Sequence, residues 1–137
     1  MTDYLALGGL IASRLKEVLE RVPVELMQGK PLIGENPDIS QSVSVFLEED
    51  RPEEQACGGK SQKVEQRWVA AVAVRDADDA GRMISRTISA LAGWQPPDRR
   101  FAPLRRVPST HNPDWTPAGV FYFPVAFATT FVFNTEG

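Results

Sequence analysis

The chain has 137 residues, of which 42% are hydrophobic and 24% are charged, and its formal net charge is −3. These values are typical of one globular domain over residues 1–137, and they exclude an intrinsically disordered chain. The acidic balance argues against general nucleic-acid binding, which usually needs a basic surface. Because Cys57 is the single cysteine, an internal disulfide framework is also excluded.

The first segment is amphipathic and predicts a helix. Thr2 or Asp3 can cap it, and apolar side chains recur at three- and four-residue steps to about Arg21. The Gly8-Gly9 pair weakens the first turns, and Pro23 ends the helix because the residue before a proline avoids helical geometry. Since the segment lacks a basic start, it is not expected to be a secretory signal.

Three strands and a loop follow in the prediction. Val24 to Gly29 indicates a short strand, and "SVSVFLEE" alternates polar and apolar residues as a half-buried strand does. Residues 48 to 63 are polar and charged, with one proline and two glycines, and they predict a flexible, partly disordered hairpin loop. "VEQRWVAAVAVRD" then predicts a long strand that is buried on both faces in its second half.

A second helix is predicted after this strand. Asp76, Asp78 and Asp79 favour a helix N-terminus through capping and the helix dipole, and an apolar stripe extends to Leu91. Gly93 fits the C-terminal cap. The following proline-rich segment, residues 94 to 117, is irregular apart from a short strand predicted at Leu104 to Val107.

The segment from Trp115 to Thr135 contains no charged residue, and its length of 21 residues would allow a membrane helix. Its phenylalanines, however, occupy odd positions with a period of two, which is the period of a strand and not of a helix. Pro124 marks an edge, a bulge or a point where strand pairing changes. We expect the phenylalanine face to form core against the helices, or one end of the strand to meet another subunit.

No catalytic residue, cofactor or metal site is expected. Gly59-Lys60-Ser61 resembles the end of a phosphate-binding loop, but Glu54 stands where that motif needs a glycine, and a strand follows instead of a helix. His111 has no companions with which to hold a metal ion. An enzyme that uses His111 or Cys57 is the least favoured hypothesis.

Two charge clusters are candidates for contacts with a neighbouring subunit. They are either solvated loops of both signs or complementary patches on two copies that meet head to tail. Nucleic acid is a weaker partner for the basic cluster on an acidic protein. The acidic cluster comprises Glu48, Glu49, Asp50, Glu53 and Glu54, and the basic one comprises Arg99, Arg100, Arg105 and Arg106.

The order of these elements resembles the tail terminator and tail-completion proteins of long-tailed bacteriophages, and the related minor tail proteins. The matching segments are "IASRLKEVLERV", "QSVSVFLEE", "QRWVAAVAVRD", "DADDAGRMISRTISAL" and "GVFYFPVAFATTFVFN". The expected fold is α+β, with a single, mostly antiparallel sheet of about four to five strands packed against two main helices.

The resemblance also implies a function. It implies a ring, commonly of six subunits, that caps the growing tail tube, stops its polymerisation and offers a surface for head joining. The implied partners are further copies of the chain, the tail tube protein and head–tail joining proteins, with no membrane and no catalysis. The protein would be part of the virion tail and be assembled in the bacterial host cytoplasm. The alternative is a head–tail connector or a secretion-system adaptor of related fold.

Overall fold

The computed structural model describes residues 3–26, 40–54, 61–117 and 119–134. Six strands form one sheet in the order β1-β2-β3-β6-β4, with β5 also paired to β6. The β1–β2 pair is parallel and the other pairs are antiparallel. The α+β prediction is confirmed, and the sheet has six strands where about four to five were expected. In chain order the elements are α1 (Ala6–Val18), β1 (Val24–Leu26), β2 (Gln41–Pro52), β3 (Ser61–Val74), α2 (Ala77–Leu91), β4 (Arg105–Val107), β5 (Asp114–Trp115) and β6 (Phe121–Asn134).

Both helices pack on one face of the sheet, which we call the helix face. The core consists of apolar side chains from α1, α2 and this face, with Phe101 and Leu104 added from the segment after α2. Alternation along the strands sends every second side chain into the core, as a half-buried sheet requires. Residues of the helix face include Val43, Trp68, Val72 and Phe127.

Helix α1 is shorter than predicted. It ends at Val18, and Arg21 adopts a left-handed backbone with φ 65° in the turn that follows. The Asp3 carboxylate accepts a hydrogen bond from the Leu5 backbone N–H at 2.9 Å, although Leu5 itself is the N-cap and has no side-chain cap. Asp3 therefore orders the turn before the helix; Thr2, the other predicted cap, lies outside the described residues.

Gly8 allows α1 to approach the sheet closely. A Cβ at Gly8 would lie 2.5 Å from an indole carbon of Trp68, whereas a Cβ at Gly9 would meet nothing within 4 Å. The first glycine of the pair is thus needed for packing. The second only lowers helix propensity.

Helix α2 agrees with its prediction. The Asp76 side chain accepts a hydrogen bond from the Asp78 backbone N–H at 3.0 Å, and Asp78 and Asp79 lie in the first turn. At the other end, Gly93 adopts φ 76°, a left-handed conformation that favours glycine after a helix.

The β2–β3 hairpin is longer than predicted, and the bounds of the predicted loop at 48 to 63 were wrong. Residues 48 to 52 belong to β2, which pairs with β3 as far as Pro52 opposite Val64, and residues 61 to 63 belong to β3, where they pair with β6. Polarity misled the prediction, since one face of these strands needs no apolar side chain. Residues 55 to 60, which include Cys57 and Gly59-Lys60, lie outside the described residues, as does the part of the first predicted strand after Leu26.

The last strand, β6, is confirmed and lies inside the sheet. It pairs with β3 along its whole length, from Phe121 opposite Val74 to Asn134 opposite Ser61. On its other side it pairs with β5 at Phe121–Tyr122 and with β4 at Ala126–Ala128. Pro124 lies between these two short pairings, so it marks the predicted point where strand pairing changes. Neither described helix has the length and apolar character that crossing a membrane requires.

Candidate functional site

A short segment crosses the face of the sheet opposite the helices, which we call the outer face. This segment, residues 108–113, connects β4 to β5 and is named the strap. It starts beside Val107, which pairs with Ala126, and it reaches β2 on the far side of β6 and β3. Val69 and Ala126 lie in the row beneath it and are fully buried, although no helix covers them.

The carboxylate of Glu48 holds the strap on the sheet. Its Oε1 accepts hydrogen bonds from the Ser109 hydroxyl at 2.8 Å, the Thr110 N–H and hydroxyl at 2.9 and 2.8 Å, and His111 Nδ1 at 2.7 Å. The Glu48 side chain is 3% exposed. Burial pushes its pKa up, but hydrogen bonds from His111, Thr110 and Ser109 outweigh burial and lower the pKa to about 2.

Glu48 lies at a β-bulge in β2. The register between β2 and β3 shifts between Leu47 and Glu49, so Glu48 is an extra residue in β2. Before the bulge, odd-numbered residues such as Val45 face the helices; after it, the even-numbered Asp50 does. Glu48 faces outward by the ordinary alternation of β2, as Phe46 does, and the bulge turns Glu49 to the same outer face.

Ser109 and His111 of the strap are not arranged as a serine nucleophile and its histidine base. Because a carboxylate only accepts hydrogen bonds, His111 must carry its proton on Nδ1. The Ser109 hydroxyl points at Glu48, so it is not bound by the other ring nitrogen of His111, as a serine nucleophile would need. Cys57, the other candidate nucleophile, lies outside the described residues. Within those residues, no three His, Cys, Asp or Glu side chains gather as metal ligands.

An apolar cavity of about 200 Å³ lies beside the strap on the outer face. The Phe46 ring closes one side, in an edge-on contact with His111 at 5.3 Å between ring centroids. Small side chains leave this space open where a larger residue would fill it. Its lining comprises Ser44, Phe46, Ala71, His111, Asn112, Tyr122 and Pro124.

Beyond the bulge, three strands of the described part of the chain continue, and we call this part the open end. It comprises Asp50–Pro52 of β2, residues 61–66 of β3, and residues 129–134 of β6. β1 pairs only with Val43–Val45, and β4 pairs only with Ala126–Ala128. Within the described residues, no strand therefore flanks β2 or β6 at the open end, and both are sheet edges there.

The five predicted acidic residues do not lie together in one loop. Besides Glu48, Glu49 pairs with Arg51 at 2.5 Å and lies 3.7 Å from Arg67. Asp50 faces the helices and accepts hydrogen bonds from Tyr4 at 3.0 Å and from Gln66 at 3.0 Å. Burial of the Tyr4 hydroxyl and its bond to Asp50 raise the pKa of Tyr4 to about 12. Glu53 and Glu54 lie past the end of β2, are exposed, and their carboxylates make no such contact within the described residues.

The four predicted arginines also divide. Arg100 pairs with Asp98 and lowers the pKa of that carboxyl, and Arg105 pairs with Glu65 of β3. Arg99 and Arg106 are exposed and form no ion pair within the described residues. Phe101, between the two pairs, is buried against Phe131, so it anchors the segment that carries the arginines.

A basic groove runs along β6 at the open end. It has a volume of about 270 Å³ and is bordered by Arg99, Arg100 and Lys63. Val132, in its floor, is 52% exposed. Ala102 donates its backbone N–H to the Thr130 carbonyl at 3.1 Å, along the edge of β6 that faces away from β3. The groove begins beyond this hydrogen bond. The sequence indicated the basic residues, but only the fold places them beside a strand edge.

Comparisons with known proteins agree with the expected class of protein. A family model described as phage tail terminator protein matches residues 1–136, which is nearly the whole chain. A search of curated proteins finds no match.

Proposed function

The chain belongs to the phage tail terminator protein family, and we propose that it forms a homo-oligomeric ring that caps the tail tube. In this proposal the ring, of six copies, stops polymerisation of the tube and presents a surface for head joining. The single observation that carries the proposal is the family match over residues 1–136. A structural role in the phage tail follows from the family itself; the ring, its number of copies and its partners are proposed.

Features of the fold support a role in assembly. The strap residues that carry a histidine and hydroxyl groups are engaged in holding a loop on the sheet. The open end offers two strand edges, and strand addition at such edges is a common way for proteins to associate. We propose that residues 1–137 act as one non-enzymatic structural domain of the virion tail, assembled in the host cytoplasm with tail tube and head–tail joining proteins.

The direct test measures the assembly state of the protein and the effect of deleting its gene. Native mass spectrometry and negative-stain images of the purified protein, alone and with tail tubes, should show rings, and rings should sit at the ends of tubes. Deleting the gene should give tubes of uncontrolled length that do not join heads. A protein that stays monomeric on tail tubes, together with normal tails after deletion, would contradict the proposal.

The second candidate is a head–tail connector or a secretion-system adaptor of related fold. Genes for the tail tube and tape measure beside this gene favour the terminator, whereas a different gene cluster favours the adaptor. In the tube assay, an adaptor would leave tube length unchanged.

A further inference from the structure

We propose that the two edges of the open end pair with each other between neighbouring copies. The edge of β6 at residues 131–134 of one copy would receive the edge of β2, up to Arg51, of the next copy. This inference rests on the proposed ring and gives it a physical contact. The occupant of the basic groove is thus a second copy of this chain, which would place the acidic residues that follow its β2 beside the groove.

The charges around the two edges are complementary. The groove beside β6 is bordered by Lys63, Arg99 and Arg100, and Arg99 forms no ion pair within the described residues. The chain that leaves β2 carries Glu53 and Glu54, both exposed. Opposite charges at facing edges steer association and fix which edges meet. Like edges would repel, so a two-fold pairing of β6 with β6 is disfavoured.

The two edges also differ in how they are protected. Natural proteins guard free edges with charges, prolines or bulges, and β2 carries a bulge at Glu48 and ends at Pro52. The end of β6 carries an exposed Val132 at its centre and no proline. An edge that has basic side chains but neither proline nor bulge, together with an oppositely charged edge on the next copy, is the pattern expected of a specific contact.

The topology determines the direction of the new strand pair. β2 and β6 both run antiparallel to β3, so they point the same way within one copy. A one-sixth turn about the axis of a six-copy ring changes a strand's direction by about 60° at most, so β6 of one copy and β2 of the next would pair parallel and not antiparallel. Because two different edges meet, the contact is head to tail, and such contacts form a ring when the rotation between copies closes.

The first experiment reverses the charges of each edge. The variant Lys63→Glu with Arg99→Glu, and the variant Glu53→Lys with Glu54→Lys, should each associate at least tenfold more weakly than wild type in sedimentation experiments. An equal mixture should assemble again, because the two variants alternate around a ring with an even number of copies. Arg82→Glu, a reversal on the exposed face of α2, is the control and should assemble as wild type does. Circular dichroism confirms that each variant is folded.

The second experiment tests strand addition itself. In a Cys57→Ser chain, Val132→Cys on one copy should form a disulfide with Glu49→Cys or Arg51→Cys on another, since all three side chains lie on the outer face. Glu20→Cys, beyond the end of α1, should form none. A wild-type ring with no such disulfide, or with charge variants that assemble normally, overturns the edge pairing and leaves the ring standing. A wild type that is monomeric on tail tubes overturns both.

Discussion

The same three strands, β2, β3 and β6, form two regions of opposite character. In the half before the bulge, α1 and α2 cover one face and the strap covers the other, so Val69, Ala126 and Phe127 are almost fully buried. At the open end, two edges lack a neighbouring strand within the described residues, and Val132 is exposed. The contrast shows that a strand of this length serves the core with one part and leaves another part available.

The acidic run from Glu48 to Glu54, at the end of β2 and just beyond it, shows the same contrast. Glu48 is buried and ionised because hydrogen bonds from the strap replace its water. Glu53 and Glu54 remain solvated. Identical side chains therefore contribute to stability on one side of the bulge and are free for association on the other.

The largest expected difference between the two regions lies within β6. Phe127→Ala should lower the free energy of unfolding by about 3–5 kcal/mol, because it empties a fully packed site. Val132→Ala should change it by no more than about 0.5 kcal/mol. Urea denaturation at a protein concentration where all variants share one assembly state measures both. Similar losses for the two variants would mean that the open end is as tightly packed as the core.

Glu48 gives the next largest effect and a pH signature. Its pKa of about 2 in the folded chain lies below the ordinary value of 4.5, so its contribution is complete above about pH 4.5 and disappears as the pH falls towards 2. That contribution is on the order of 3 kcal/mol. Glu48→Gln should lower stability at pH 7 by about 2–3 kcal/mol and weaken its dependence on pH in that range.

The matched control for this pH effect is Glu54→Gln, at the exposed end of the same acidic run. It should stay within about 0.5 kcal/mol of wild type at every pH. Thermal unfolding followed at several pH values measures both variants. A Glu48→Gln variant with the pH profile of wild type would show that the strap does not depend on the carboxylate charge.

The smallest of these effects tests the contact between α1 and the sheet. Gly8→Ala should cost about 1–3 kcal/mol, since the new methyl group would overlap the rigid Trp68 indole. Gly9→Ala should stabilise the protein by up to about 1 kcal/mol, because alanine favours a helix and nothing obstructs it. Chemical denaturation of the two variants gives the comparison directly. A loss for both would mean that neighbours restrict Gly9 as well.

Local patterns in the sequence were sufficient for the elements and the fold class. The period of two in the last segment predicted β6, and Asp76 with Gly93 predicted the two ends of α2. These signals are readable because they depend on residues close together in the chain. The same patterns underestimated the length of the β2–β3 hairpin, because charged residues on a solvated strand face have the composition of a loop.

Only the tertiary structure decided which polar residues are buried in contacts and which are available at a strand edge. The contact of the Glu48 carboxylate with Ser109, Thr110 and His111, more than sixty residues away, leaves no signal in the sequence. The position of Arg99 beside the edge of β6 likewise follows from packing of Phe101 on Phe131. The sequence determined the strands and helices through local periodicity; long-range register and packing determined which charges are buried and which remain available.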